Sequence, residues 1–166
     1  LVVGLAGKSP QGLGRIYPQL IYWMKISGTP TFDEYWADPS FARKRPILGA
    51  AKIYAAGDRI YRRDEETGKW LFEPSLHHVP GCAQPNGGHL AKDTKVDRVL
   101  VANEFTYWGG SGPKLPDHLL RMFCSNPRQY QVNHTPEDEA ELHAFIDLEN
   151  PKGWVGDPAD WDNPKY

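Results

Sequence analysis

The sequence lacks several features that would assign it to a familiar class. Its 166 residues include two cysteines, Cys82 and Cys124, which are too few for a disulfide framework. No apolar run approaches the length of a membrane span, and no basic start followed by an apolar stretch marks a signal peptide. These absences predict a cytoplasmic protein with no membrane partner.

A large excess of charge of one sign is also missing. The chain has 19 basic and 21 acidic residues, so its formal net charge is -2. No global field draws such a protein to nucleic acid, and any basic site must be a local patch. The chain also shows no internal repeat and no low-complexity tract.

Glycine and proline are abundant, with 16 and 15 residues, and they predict many turns and short elements. A chain of this length can bury a sizeable core. We predict one domain over residues 1–149 and a Pro/Trp-rich tail over residues 150–166. The chain begins at Leu1 inside an apolar run, so we expect either processing or trimming of a longer chain and allow for a missing upstream strand.

The pattern of elements predicts an α+β fold. Strands are expected at residues 1–5, 19–26, 58–62, 69–72 and 95–102, and the two strands around the turn at 64–68 form the clearest hairpin. Thr31 and Glu34 form a capping-box pattern before a short helix, and Thr135-Pro136 starts a helix that runs to about Leu148. Residues 73–89 are expected to form a long irregular loop, and residues 47–56 a loop with weak structure. Strands with few, short helices between them favour a small mixed β-barrel with helical insertions, a C-terminal helix and an extended tail.

A glycine-rich loop follows the first strand and contains Gly7-Lys8-Ser9. A nucleoside-triphosphate loop needs an earlier glycine where this chain has Val2, and it needs a following helix. We therefore predict a different role, in which free backbone N–H groups together with Lys8 and Arg15 meet a phosphate backbone.

His77, His78, Cys82 and His89 are spaced like metal ligands. No HExxH or CxxC pattern accompanies them, and adjacent histidines on an extended segment point in opposite directions. We predict no metal and no cofactor, with a zinc site as the alternative. His77 and His78 are then hydrogen-bonding residues beside a pocket.

Two local basic clusters lie beside aromatic residues. Cations next to aromatic rings suit phosphate contact and base stacking, although a solvated face is the simpler interpretation. The clusters are Arg43-Lys44-Arg45 and Arg62-Arg63, and their aromatic neighbours are Trp36, Phe41 and Tyr61.

A pocket for a flipped base needs flat rings, polar groups for the base edge and a cation for the phosphate. The chain supplies all three, although Trp and Tyr in strands more often belong to a core. The predicted binding residues are Lys8, Arg15, Trp36, Arg45, Tyr61, Arg62, His77, His78 and Trp108.

Several segments in order resemble a known family. They are LIYWMKI, TFDEYWADPSF, KRP, GDRIYRRD, SLHH, DTKVDRVLVANEFTYWGG and GPKLP. Together they resemble the second of the nucleotide-modification-associated domains, over roughly residues 1–121. That family occurs in bacteria and phages, often linked to systems that modify DNA bases. A wider resemblance to PUA-like domains of the EVE and ASCH groups implies a small barrel that binds RNA or a modified base.

Three functions follow from these patterns. The first is a binding module for nucleic acid or a modified nucleotide, accessory to base modification. The alternative is a nucleotide- or base-modifying hydrolase or transferase that uses His77, His78 and Asp93. The third is a protein that binds a partner through its Trp-rich tail. We favour the first because no nucleophile motif and no metal signature are present.

Overall fold

The computed structural model describes residues 1–6, 19–75, 87–123, 132, 134–148 and 152–158. Contacts divide the chain into two compact units. Unit 1 contains Leu1–Ile26 and Ala102–Tyr166, and unit 2 is the continuous segment Ser27–Val101. Each unit is described below by itself.

The described elements are short, as the glycine and proline content predicts. The strands are β1 (Val2–Leu5), β2 (Leu20–Gly28), β3 (Tyr61–Arg63), β4 (Trp70–Phe72), β5 (Val101–Tyr107) and β6 (Gly153–Trp154). The α-helices are α1 (Phe32–Ala37), α2 (Lys52–Ala55), α3 (Gly87–Asp93) and α4 (Pro136–Leu148). The 3-10 helices are Pro39–Lys44, Gly109–Ser111 and Asp117–Met122. Along the described stretches of the chain, no helix combines the length and the apolar content needed to cross a bilayer.

The strands form two sheets. One sheet has the order β1-β2-β5-β6, in which β1 is antiparallel to β2 and β5 is parallel to β6. The other is the antiparallel hairpin of β3 and β4, which confirms the predicted hairpin. The α+β class is confirmed, but the expectation that all strands share one sheet is wrong. The described residues form no closed barrel, so the PUA-like barrel stays a prediction.

Unit 1 is organised around one apolar core. Leu20 and Trp23 of β2 and Leu142 and Ile146 of α4 contribute to it, and the last two are one helical turn apart on the same face. The helix begins as predicted, because Thr135 Oγ1 accepts a hydrogen bond from the Asp138 N–H at 3.2 Å. The remaining members of the core are Trp108, Leu115, Leu119 and Met122.

Unit 2 begins with the predicted capping box of α1. Thr31 Oγ1 accepts from the Glu34 N–H at 3.2 Å, and the Glu34 carboxylate accepts from the Thr31 N–H at 2.7 Å. A six-residue helix is marginal by itself, so tertiary contacts must hold it. One of these is the Phe32 N–H, which donates to Asp97 at 3.1 Å.

Several predicted elements are misplaced or missing. The strand expected at residues 58–62 is Tyr61–Arg63. The strand expected at residues 95–102 begins only at Val101, because the backbone before it bonds to the segment before α1: the Val99 N–H donates to the Pro30 carbonyl at 2.8 Å. Helix α3 begins inside the predicted loop of residues 73–89, where a glycine pair at its start concealed it, and continues to Asp93. Residues 52–55 form one helical turn, α2, inside a segment predicted as loop.

Candidate functional site

Three arginine side chains surround one tryptophan ring in unit 2. The guanidinium carbons of Arg45, Arg59 and Arg62 lie 5.3, 5.2 and 5.1 Å from the centroid of the Trp36 ring. We call these four residues the Trp36 cluster. Each cation over an aromatic face contributes about 0.5–1 kcal/mol at an exposed site. The ring therefore holds together three positive charges that would otherwise repel one another.

Two chain segments run side by side to bring Arg45 and Arg59 together. Arg45 ends the 3-10 helix that follows α1. The Arg59 N–H donates to the Lys44 carbonyl at 3.0 Å, which fixes one segment against the other. A Cβ on Gly57 would lie 2.3 Å from that same carbonyl oxygen, so the close approach requires glycine.

Arg62 and Arg63 lie next to each other on β3, and neighbouring strand residues point to opposite sides. The Arg63 guanidinium lies 4.4 Å from the Trp70 ring centroid and forms ion pairs with Asp33 at 3.1 Å and Asp97 at 2.9 Å. Arg63 therefore ties α1 to the hairpin. Of the predicted pair of basic residues, only Arg62 belongs to the Trp36 cluster.

The charge of the Trp36 cluster is only partly neutralised. Arg45 donates to the Glu73 carboxylate at 2.9 Å. Within the described residues, neither Arg59 nor Arg62 forms an ion pair, and the Arg59 Nε atom is buried without a hydrogen-bond partner. Arg62 does act at longer range on Asp64, whose pKa is lowered mainly by hydrogen bonds from Thr67. Arg59 acts in the same way on Asp38, so the three guanidinium groups have one ion-paired carboxylate among the described residues and two more at longer range.

Tyr61 has a packing role in the structure. It is buried, and its hydroxyl donates to the Asp93 carboxylate at 2.9 Å. Burial raises the pKa of Tyr61 above its usual value, and the hydrogen bond to Asp93 raises it further. Phe32 meets the Tyr61 ring edge-on at 5.7 Å. The predicted contact of Tyr61 with a ligand stays a prediction, as does the catalytic role of Asp93.

The structure brings some predicted site residues together and places others elsewhere. Trp36, Arg45 and Arg62 meet in unit 2, whereas Trp108 is 4% exposed in the core of unit 1. The binding role of Trp108 stays a prediction. The remaining predicted contacts, Lys8, Arg15, His77 and His78, lie outside the described residues.

Sequence reasoning missed Arg59 and the partner of Arg45, Glu73. Arg59 precedes the strand and stands three residues before Arg62, so the pattern of adjacent basic residues passed over it. The concentration of three arginines between positions 59 and 63 was the available signal. Glu73 carried no signal, because only the fold brings it to Arg45.

A metal centre is not visible in the part of the chain that the structure describes. No group of three His, Cys, Asp or Glu side chains there is arranged to hold a metal ion. His77, His78 and Cys82 lie outside the described residues, and nothing is described of the His89 side chain. The absence of a metal therefore stays a prediction.

The fold and the Trp36 cluster together define a small α+β protein with a local basic–aromatic site. The chain matches the family model for nucleotide modification associated domain 2 over residues 1–165, so it belongs to that family. The match confirms the family resemblance and extends it from about residue 121 almost to the end of the chain. Searches of curated proteins and of solved structures each found no match.

Proposed function

We propose that this protein is a binding module for nucleic acid or for a nucleotide and that it acts alongside nucleotide modification. The family description supports the association with nucleotide modification. The Trp36 cluster supports binding, and it is the single observation on which the proposal depends.

Guanidinium groups are suited to phosphate. Their planar forks match the spacing of phosphate oxygens, and they remain charged at all relevant pH values. The protein as a whole carries a formal charge of -2, so the positive charge of the Trp36 cluster stands out against its background. A polyanionic ligand is then drawn to this face and repelled elsewhere.

The proposal also includes residues that the described structure does not reach. Lys8 and Arg15 would contact the phosphate backbone, and His77 and His78 would meet the edge of a base. The PUA-like barrel is part of the same proposal. The described residues give no separate support to the alternative, a hydrolase or transferase that uses His77, His78 and Asp93.

Titration of short DNA and RNA strands, plain and modified, and of free nucleotides tests the proposal. Wild type is compared at two salt concentrations with the double variant Arg59→Ala/Arg62→Ala and with Arg43→Ala. Arg43 is an exposed arginine with no contact to the Trp36 ring among the described contacts, so it shows the effect of losing one positive charge elsewhere in the same unit.

We expect wild type to bind most tightly at low salt, because each neutralised phosphate releases counterions. The double variant should lose most of this affinity, whereas Arg43→Ala should keep most of it. If wild type binds no strand and no free nucleotide at low salt, the proposed function is wrong.

A further inference from the structure

Three of the protein's own guanidinium groups already lie over the Trp36 ring, with their carbons within 5.3 Å of its centroid. A stacked base needs an open face at contact distance, about 3.5 Å from the ring plane. A base that stacks on Trp36 must therefore compete with the arginines for the ring.

Building on the proposed function, we propose that the Trp36 cluster binds the phosphate groups of its ligand and contributes nothing to recognition of the base. The ligand chemistry is a phosphate ester or diester. Trp36 is then a positioning residue that orders three guanidinium groups, and it is not the stacking platform that the sequence predicts.

A second arginine–tryptophan pair in the same unit has its arginine charge neutralised by carboxylates. Arg63 lies over Trp70 and is paired with two carboxylates, Asp33 and Asp97. Around Trp36 the described residues supply one ion-paired carboxylate, Glu73, for three guanidinium groups, and Asp38 and Asp64 act on Arg59 and Arg62 only at longer range. Because the Trp36 cluster has fewer ion-paired carboxylates than Arg63, we expect a bound anion to supply the missing negative charge.

The donors of the cluster also favour an anion with several oxygens. The Arg45 side chain is 54% exposed and Arg62 is partly exposed, so a ligand can reach them, whereas Arg59 Nε is buried. A phosphate group offers acceptor oxygens to more than one guanidinium fork, and charge-assisted hydrogen bonds of this kind are among the strong ones. Binding an anion would also relieve the mutual repulsion of Arg59, Arg62 and Arg45.

Four ligands separate phosphate binding from base binding. They are a short oligonucleotide, a strand of the same length built only from abasic units, a nucleoside without phosphate, and inorganic pyrophosphate. We expect the abasic strand to bind and pyrophosphate to raise the unfolding temperature, and we expect both effects to depend on the Trp36 cluster. The nucleoside should bind wild type and the cluster variants equally. A base stacked on Trp36 would instead make the loss caused by Trp36→Leu on the order of tenfold larger for the complete strand than for the abasic strand.

Variants of the full-length chain test the role of Trp36. Trp36→Leu should weaken binding of the complete and abasic strands by the same factor, and Trp36→Phe should restore part of the loss because it returns a ring face to the arginines. Arg62→Gln makes the same comparison while keeping the Trp36 side chain. A loss confined to the strand that carries bases would overturn the inference.

The two proposals fail in different ways. If the complete strand binds, but Trp36→Leu and Arg62→Gln weaken it without weakening the abasic strand or the effect of pyrophosphate, the phosphate inference is wrong and the proposed function stands. If neither strand, nor pyrophosphate, nor the nucleoside binds at low salt, both proposals are wrong.

Discussion

Arg62 and Arg63 are neighbours in β3, yet their guanidinium groups have opposite surroundings. Arg62 lies 5.1 Å from the Trp36 ring centroid and has no ion-pair partner among the described residues. Arg63 is held between Asp33 and Asp97. Because neighbouring strand residues point to opposite sides, Arg62 belongs to the candidate site and Arg63 forms ion pairs that hold α1 against the hairpin.

Alanine at these two positions should therefore have separate effects. Arg63→Ala leaves Asp33 and Asp97 without their cation, so we expect a lower urea midpoint with ligand affinity reduced much less. Arg62→Ala should change the free energy of unfolding by less than about 1 kcal/mol and weaken oligonucleotide binding several-fold. Urea unfolding and low-salt titration of both variants measure this. Equal losses of stability would contradict the assignment of Arg62 to the binding site.

Removal of the Glu73 charge should strengthen ligand binding. Glu73 pairs with Arg45 at 2.9 Å and so competes with a phosphate for that guanidinium. We expect Glu73→Gln to raise affinity for a short oligonucleotide by about threefold to tenfold and to steepen the salt dependence by about one unit. Glu65→Gln, in the exposed hairpin turn, makes the same change in net charge away from this pair. If both variants gain equally, net charge alone explains the effect.

Gly57 should not tolerate a side chain. Its Cβ would lie 2.3 Å from the Lys44 carbonyl oxygen and 2.7 Å from the Pro46 nitrogen. We expect Gly57→Ala to lower the free energy of unfolding by about 1–3 kcal/mol and to weaken ligand binding, because the segments carrying Arg45 and Arg59 must separate. Gly28→Ala is the matched control, since its Cβ meets nothing closer than 4.0 Å. Equal unfolding free energies for the two variants would contradict the close approach.

Asp97 should make unit 2 sensitive to acid. Burial raises the pKa of its carboxyl, but the Phe32 N–H and Arg63 together lower it below the ordinary 3.8. A lowered folded-state pKa stabilises the fold fully above the unfolded value, and this contribution is lost as pH falls through the lowered value. The gap in unfolding free energy between wild type and Asp97→Asn, about 1 kcal/mol at pH 7, should therefore narrow toward about pH 3. A gap that stays constant or widens in acid would show that the charge of Asp97 does not stabilise the fold.

Local signals predicted the local structure well. The capping box at Thr31 and Glu34 and the hairpin around residues 64–68 depend on residues close in sequence, and both are confirmed. Helix α4 begins at Pro136 as its cap and first-turn proline indicate. These features need no knowledge of the rest of the chain.

Long-range contacts decided what the sequence did not predict. The late start of β5 follows from hydrogen bonds of Asp97 and Val99 to residues around the start of α1, and Asp97 and its partner Phe32 are 65 residues apart. Long-range contacts also determine the candidate site. Trp36, Arg45 and Arg62 could be identified from the sequence as aromatic and basic neighbours. Arg59 joins them only because the fold places its segment beside Lys44. Composition likewise does not distinguish Trp36, whose ring contacts arginines, from Trp108, which is buried in a core.

Unit 2 is one continuous segment, whereas unit 1 is made of two. The ends of unit 2 lie close together, since Ser27 Oγ donates to the Val101 carbonyl at 3.3 Å. A continuous segment whose ends lie close together has the topology of an insertion. The Trp36 cluster lies wholly inside the inserted segment. Replacing residues 27–101 by a short turn would therefore remove Arg45, Arg59 and Arg62 together. Every residue of the unit 1 core would remain in the chain.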